Sequence, residues 1–289
     1  MTKNVLITGA SSGFGLLTTV TLARRGWRVL ATMRDLKRSE RLEAAAREAG
    51  VLDRIELLAL DVTDNSQINE LAATIAARPT QLDAVINNAG FAMAGFAEDV
   101  SDAELRQQFE TNFFGAAAVT RAFLPQLRRQ GAGQIVMVSS ISGRMAFPGI
   151  GSYVSSKFAL EGWAETLRLE MKPLGIQVVL VEPGSFETDI WTRNAILSAA
   201  SQDANSPNAA RWARLLGQRE TTKLKANPQR VAEGIAAILD KRHPRLRYVF
   251  GRDARFGLML RRVLPASLLE RLLIRVSGGG STQIKTPEI

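Results

Sequence analysis

The chain has no cysteine and a single histidine, His243. Without thiols there is no disulfide, no thiolate metal site and no cysteine nucleophile. His243 stands in the basic run DKRHPRLR, away from any second histidine, which argues against a histidine-based triad or metal centre. No metal is expected. Tyrosine is almost as scarce, with two in the chain. Acid–base chemistry is left to Tyr, Lys, Asp or Glu. No apolar run reaches the roughly 18 residues that a spanning helix needs. The opening MTKNVLITG soon meets glycine and polar residues and lacks the apolar core of a signal peptide. The expectation is a cytoplasmic protein, with a reservation about its basic C-terminal quarter.

What is present suits one large α/β domain. The 289 residues are 46% hydrophobic, enough for a sizeable core. The formal charge of +9 is unevenly placed. Residues 1–207 carry 20 basic and 22 acidic groups, and residues 208–276 carry 16 and 5. The remaining tail, 277–289, is neutral.

Short runs rich in Val, Ile and Leu recur at 4–8, 27–32, 55–60, 82–87, 134–139 and 176–181. They are continuous rather than alternating, as in strands buried on both faces of a parallel sheet. Helical stretches lie between them, one of them, SERLEAAAREAG, stopped by Gly50. The alternation predicts a doubly wound sheet with right-handed crossovers. A helix around 228–241 and a seventh strand at 247–251 complete it. The polar stretch SAASQDANSPN (198–208) reads as a mobile loop.

In such a sheet ligands bind at the carboxyl ends of the strands. The first strand is followed by TGASSGFG (8–15), with Gly9, Gly13 and Gly15 around Ser11, Ser12 and Phe14. Glycines there let the backbone approach a pyrophosphate, and the next helix offers its N–H groups. After the second strand comes TMRD (32–35). Met33 stands where an NAD binder places an acid, and the Arg34 guanidinium suits the 2′-phosphate of NADP. Asp35 is the competing ribose ligand, so NADP is favoured and NAD is the alternative. Asp61 and Val62 end the third strand and flank an adenine in this reading; the rival role for Asp61, helix capping, is also open to Thr63 or Asp64. Asn88, Ala89 and Gly90 follow the fourth strand. The sixth ends in Pro183 and Gly184, with Thr188 near enough for a carboxamide.

The stretch GSYVSSKFALEGW (151–163) places Lys157 four residues after Tyr153, on the same face of a helix. That spacing alone leaves two readings open: a core ring beside a solvated lysine, or a proton-transfer pair.

Taken together, TGASSGFG, NNAG, SSISG, YVSSK and PGSFET occur in the order and spacing of the short-chain dehydrogenases/reductases. The chain resembles that family over about residues 3–190, and its wording is similar to the hydroxysteroid and retinol dehydrogenase branch. The resemblance implies a Rossmann-type domain over 1–251, with a substrate-covering insertion at about 190–225. A basic amphipathic extension and tail would follow at 252–289. It implies Tyr153 as general acid/base, Lys157 as its tuner and ribose ligand, Ser140 orienting the substrate oxygen, and Asn112 completing a proton relay. Asn88 and Gly90 would meet the adenosine ribose. Phe14 replaces the commoner Ile or Leu, a change of packing only.

The implied reaction moves a hydride between NADP(H) and the carbonyl or secondary alcohol of a lipophilic molecule, steroid-, retinoid- or fatty-like. A phenol with its usual pKa near 10 is a poor acid/base at neutral pH, so a nearby ammonium is expected to lower it. Phe186, Ile190, Trp191 and Ile196 are candidates for an apolar substrate wall. The rivals are an NAD-dependent alcohol dehydrogenase and a nucleotide-binding regulator without catalysis. A homo-oligomer is expected from the resemblance. In 252–276, where Pro265 divides two short helices, a helix pair packed on protein is favoured over a weak membrane-surface contact. No nucleic-acid motif accompanies the positive charge.

Overall fold

The computed structural model describes residues 2–191, 194–221 and 226–276. The expected tail, 277–289, and parts of the insertion, 192–193 and 222–225, lie outside the described residues, as does the Trp191 side chain.

The strands are β1 (Asn4–Thr8), β2 (Arg28–Met33), β3 (Ile55–Ala59), β4 (Ala84–Asn87), β5 (Ala92–Ala94), β6 (Gly133–Val138), β7 (Ile176–Pro183), β8 (Ala195–Leu197) and β9 (Arg247–Phe250). The helices are α1 (Gly13–Arg24), α2 (Glu40–Glu48), α3 (Asn65–Ala76), α4 (Asp102–Phe109), α5 (Ala116–Gln130), α6 (Gly151–Met171), α7 (Ala209–Thr221), α8 (Gln229–Leu239), α9 (Arg252–Val263) and α10 (Ala266–Val276). Seven strands form one parallel sheet in the order β3-β2-β1-β4-β6-β7-β9.

Every residue of β1 is buried. Its side chains alternate between two cores, because successive strand residues point to opposite faces. Val5 and Ile7 join Leu16, Leu22, Leu42 and Ile235 from α1, α2 and α8. Leu6 joins Ile68, Phe123 and Leu160 from α3, α5 and α6. Each fully buried Leu, Ile or Phe stabilises the fold by about 1.5–3 kcal/mol. This two-sided burial explains the continuous apolar runs in the sequence.

The chain builds β1, β2 and β3 toward one edge, then returns to place β4 beside β1 and proceeds to β9 at the other. The direction of winding reverses between β1 and β4. A crevice opens there at the carboxyl ends of the strands.

Two expectations are modified. The small parallel pair β5–β8 is absent from the sequence reading, because two three-residue strands leave no periodic signal. The 198–208 stretch is a loop, but an anchored one. Ser198, Ser201 and Asn208 are buried; Ser198 and Ser201 share a 2.7 Å hydroxyl contact, and Asn208 Nδ2 donates to Asp99 Oδ1 at 3.2 Å. The predicted break at Pro265 is present between α9 and α10. Gly50 takes a left-handed φ of +66° just past α2, as a helix stop should.

Candidate active site

A cleft of about 520 Å³ runs along the carboxyl ends of the sheet. One end is lined by Met33, Arg34 and Arg38, and the cleft passes over Gly9, Gly13 and Asn88 toward Ser140, Tyr153 and Lys157.

The glycine turn is built by close packing. Gly9 has φ +71°, and a Cβ there would approach Ala89 Cα at 2.8 Å. Gly13 has φ +54°, and a Cβ on it would meet only Thr188 Cβ, at 3.8 Å, so its backbone borders the open cleft. Ser12 is the N-cap of α1 but makes no side-chain cap, so the first-turn N–H groups face the cleft end of the helix uncapped by it. That combination, bare backbone and a helix N-terminus, fits a phosphate group. Gly15 departs from the expectation. It lies beneath the turn rather than in the cleft lining, and a Cβ would press on the Gly9 carbonyl and come 2.5 Å from Asn88 Nδ2. Asn88 lines the cleft as expected, and its Nδ2 also donates to the carbonyls of Thr8 and Gly9 at 2.9 and 3.0 Å, clamping the turn. Thr8 Oγ1 completes the clamp by accepting from the N–H groups of Asn88 and Ala89, each at 3.0 Å.

Beyond β2, Asp35 Oδ1 accepts from Lys37 N at 3.0 Å and caps a short turn, Leu36–Arg38. This turn brings Arg38 to the same end of the cleft as Arg34. Arg38 escaped the sequence reading because only the turn reveals where it points. Asp61 does not cap α3; Asp64 does, accepting from Ser66 N and Gln67 N. Asp61 Oδ1 accepts from Thr63 N and Thr63 Oγ1 at 2.9 and 2.8 Å, and Asp61 and Val62 both line the cleft. Ala89, Gly90, Ser11, Ser12, Phe14, Pro183, Gly184 and Thr188 line it as well. The Phe14 ring packs edge-on against Phe186, centroids 5.7 Å apart.

The structure brings Asn112, Ser140, Tyr153 and Lys157 into the same cleft. Asn112 sits in a π-helical turn, Glu110–Gly115, between α4 and α5, an interruption common at functional sites. Its side chain pairs with the Phe91 backbone: Oδ1 accepts from Phe91 N at 3.1 Å and Nδ2 donates to Phe91 O at 3.0 Å. Ser140 lies just past β6 and caps the following turn, its Oγ accepting from Ser142 N at 3.1 Å. Ser140 also hydrogen-bonds the Tyr153 phenol. Lys157 Nζ donates to the Val138 carbonyl at 2.9 Å and lies 5.8 Å from the Tyr153 ring centroid.

Burial sets the charges here. It pushes the Tyr153 phenol up to about 12, and the Ser140 hydrogen bond only partly opposes this. Burial thus outweighs the lowering expected of the phenol. Burial also brings Lys157 down to about 8, against the attraction of Glu161. Glu161 was missed from sequence. It lies one turn beyond Lys157, is 4% exposed, and is pushed up to about 7 by burial and by Glu182. Arg247 of β9 holds this cluster together, contacting Glu161 Oε2 at 3.0 Å, Glu182 Oε1 at 2.9 Å and Glu165 Oε1 at 2.7 Å. Arg144 reaches Glu182 Oε2 at 3.2 Å.

A seven-stranded parallel sheet, a glycine turn at its switch point and a buried Ser–Tyr–Lys set define a nucleotide-dependent oxidoreductase architecture. Residues 3–196 match the family described as short chain dehydrogenase, and the chain belongs to that family. Among curated relatives, the uncharacterized oxidoreductase YusZ of Bacillus subtilis (strain 168) is 41% identical over 273 residues, covering 94% of this chain and 97% of that protein. Retinol dehydrogenase 8 of Homo sapiens is 36% identical over 252 residues, 85% of this chain and 80% of that one. A solved short-chain dehydrogenase from Streptomyces avermitilis superposes with TM-score 0.80 at 34% identity, covering 98% of this chain and all of that one. The structure titled ElxO with NADP bound has TM-score 0.72 and 25% identity over 86% of this chain and 96% of that one. Among the described residues no helix is long and apolar enough to cross a membrane, and no acidic or histidine cluster suits a metal.

Proposed function

We propose that the protein uses NADP(H) to interconvert a carbonyl and a secondary alcohol on a lipophilic small molecule, with Tyr153 as the acid/base. One observation carries this reading: a buried phenol, hydrogen-bonded by Ser140 and backed by Lys157, lines a glycine-lined cleft.

The nicotinamide group, when bound, supplies or accepts the hydride. The glycine turn and the α1 N-terminus would hold its pyrophosphate, Asp61 its adenine and Thr188 its carboxamide. Arg34 and Arg38 would hold a 2′-phosphate bidentately. Asp35, the rival ligand for a ribose hydroxyl, is engaged as a turn cap, and Met33 offers no acceptor in its place. ElxO, bound to NADP, supports the same choice of cofactor.

At neutral pH the phenol retains its proton. A protonated phenol can protonate an oxygen that gains charge, as carbonyl reduction requires. The Ser140 hydroxyl would donate to that oxygen as charge develops. The Lys157 ammonium, beneath the ring, stabilises the phenolate left behind. Asn112 would link the pair to water. Phe186, Ile190 and Ile196 line the cleft and give the substrate an apolar wall. Retinol dehydrogenase 8, a relative named for a lipophilic alcohol, supports that substrate class.

A panel of lipophilic ketones and aldehydes, followed by absorbance of the reduced nicotinamide with NADPH and with NADH, tests the reading. Turnover is expected with NADPH. Tyr153→Phe should lower kcat by about 10²–10⁴-fold, the usual contribution of a general acid, while NADPH binding is retained. A Tyr153→Phe protein with near-normal turnover would refute the assignment.

A further inference from the structure

Helix α9 departs from the pattern of an ordinary surface helix, which buries its large apolar side chains. Its inward positions are small: Ala254 is buried, and a Cβ on Gly257 would come 3.1 Å from the Met145 sulfur. Arg261, exposed at the edge of this side, lies over the Phe158 ring at 5.8 Å. Three large apolar residues face outward, while Leu258 and Leu260 are half-buried. Phe256, Met259 and Val263 follow i, i+3, i+7 spacing on one face and are 58%, 52% and 72% exposed. Arg252, Arg255 and Arg262 flank that stripe and are exposed too. Helix α10 adds exposed Leu268 and Leu272 beside exposed Arg271 and Arg275.

We infer that α9–α10 is a docking surface for an anionic lipid bilayer. An outward apolar stripe bordered by arginines is the pattern an interfacial helix presents to acidic headgroups: the ring and methyl groups enter the acyl boundary, and the guanidinium groups meet phosphate. Charge separates this occupant from a second copy of the chain. Residues 252–276 hold six arginines against two acidic residues, so a two-fold contact would set two cationic faces against each other.

The segment is also attached to the cleft. Asp253 Oδ2 accepts from Ser185 N at 2.6 Å, and its carboxylate packs so closely on Gly184 that a Cβ there would come 2.5 Å from Oδ1. Gly184 and Phe186 line the cleft on either side of Ser185. Docking through α9 therefore sets one wall of the cleft near the interface, where lipophilic molecules concentrate. The docking itself does not depend on the catalytic reading.

Sedimentation of the full-length protein with vesicles tests it, comparing phosphatidylcholine alone with phosphatidylcholine containing phosphatidylglycerol at about 0.15 M salt. Pelleting with the anionic vesicles only is expected. Phe256→Ser/Met259→Ser and Arg255→Gln/Arg262→Gln should each reduce the bound fraction about tenfold or more, with unchanged circular dichroism and melting temperature. No pelleting with anionic vesicles overturns the inference, and so does pelleting that both variants retain. An oligomer in gel filtration that either variant dissociates overturns it as well, because a second copy would then cover the stripe.

Discussion

Lys157 and Glu161 occupy successive turns of α6, and the charge of the lysine depends on the glutamate. Burial lowers Lys157 to about 8 while the Glu161 carboxylate resists that fall. Glu161 itself is held up at about 7. The signs follow by linkage. Glu161, raised above its unfolded value, contributes stability that is full below pH 4.5 and lost as pH rises through about 7. Lys157, depressed, contributes stability present above pH 10.5 and lost as pH falls through about 8. Replacing Glu161 by Gln removes the support for the ammonium, so the alkaline limb of the kcat/KM profile should move toward neutral pH. A purely structural Glu161 would lower activity without moving that limb, which a pH series resolves. Arg34 makes the second residue-scale prediction. A charged hydrogen bond contributes about 1.5–3 kcal/mol, so Arg34→Ala should weaken NADPH about 10–100-fold. NADH binding should change little. Fluorescence titration of both cofactors reads the difference, and equal losses would remove Arg34 from the 2′-phosphate site.

Among the elements, the β1–α1 turn leaves little room for change. Gly15 is packed under Gly9 and against the amide of Asn88, which in turn clamps the carbonyls of Thr8 and Gly9. Gly15→Ala should destabilise the fold by about 1–3 kcal/mol, the usual effect of overpacking, and weaken cofactor binding at least as much. Denaturant unfolding and cofactor titration check the two effects separately; a fully stable variant with normal binding would show that the turn can relax. The main strands and helices were legible in sequence because two-sided burial leaves continuous apolar runs and Gly50 marks a stop. The β5–β8 pair and the anchoring of 198–208 were not. Ala92 and Ala94 are buried with Ile150, Tyr153, Trp212 and Leu215, a cluster drawn from distant parts of the chain.

For the molecule as a whole, the cleft joins both halves of the sheet, so a ligand that fills it stabilises the native state alone. At a concentration 100 times its Kd, NADPH should add about 2.7 kcal/mol, and the melting temperature should climb with its concentration. NADH at the same concentration should raise it less, as differential scanning fluorimetry would reveal. An absent or equal shift would argue against the cofactor choice. The amino-acid sequence by itself determined the sheet, the glycine turn and the Ser140–Tyr153–Lys157 spacing. Each of these is a local pattern: an apolar run, a bare backbone, a helical interval. It also excluded cysteine chemistry and argued against a histidine triad or metal centre. Tertiary structure alone decided the rest. It turned Asn88 into a clamp, buried Gly15, brought Arg38 beside Arg34 and gathered Glu161, Glu182 and Arg247 behind Lys157. It also left the stripe of α9 outward. The physical reason is that burial and charge proximity arise between residues far apart in the chain, and these set both the proton on Tyr153 and the face that α9 exposes.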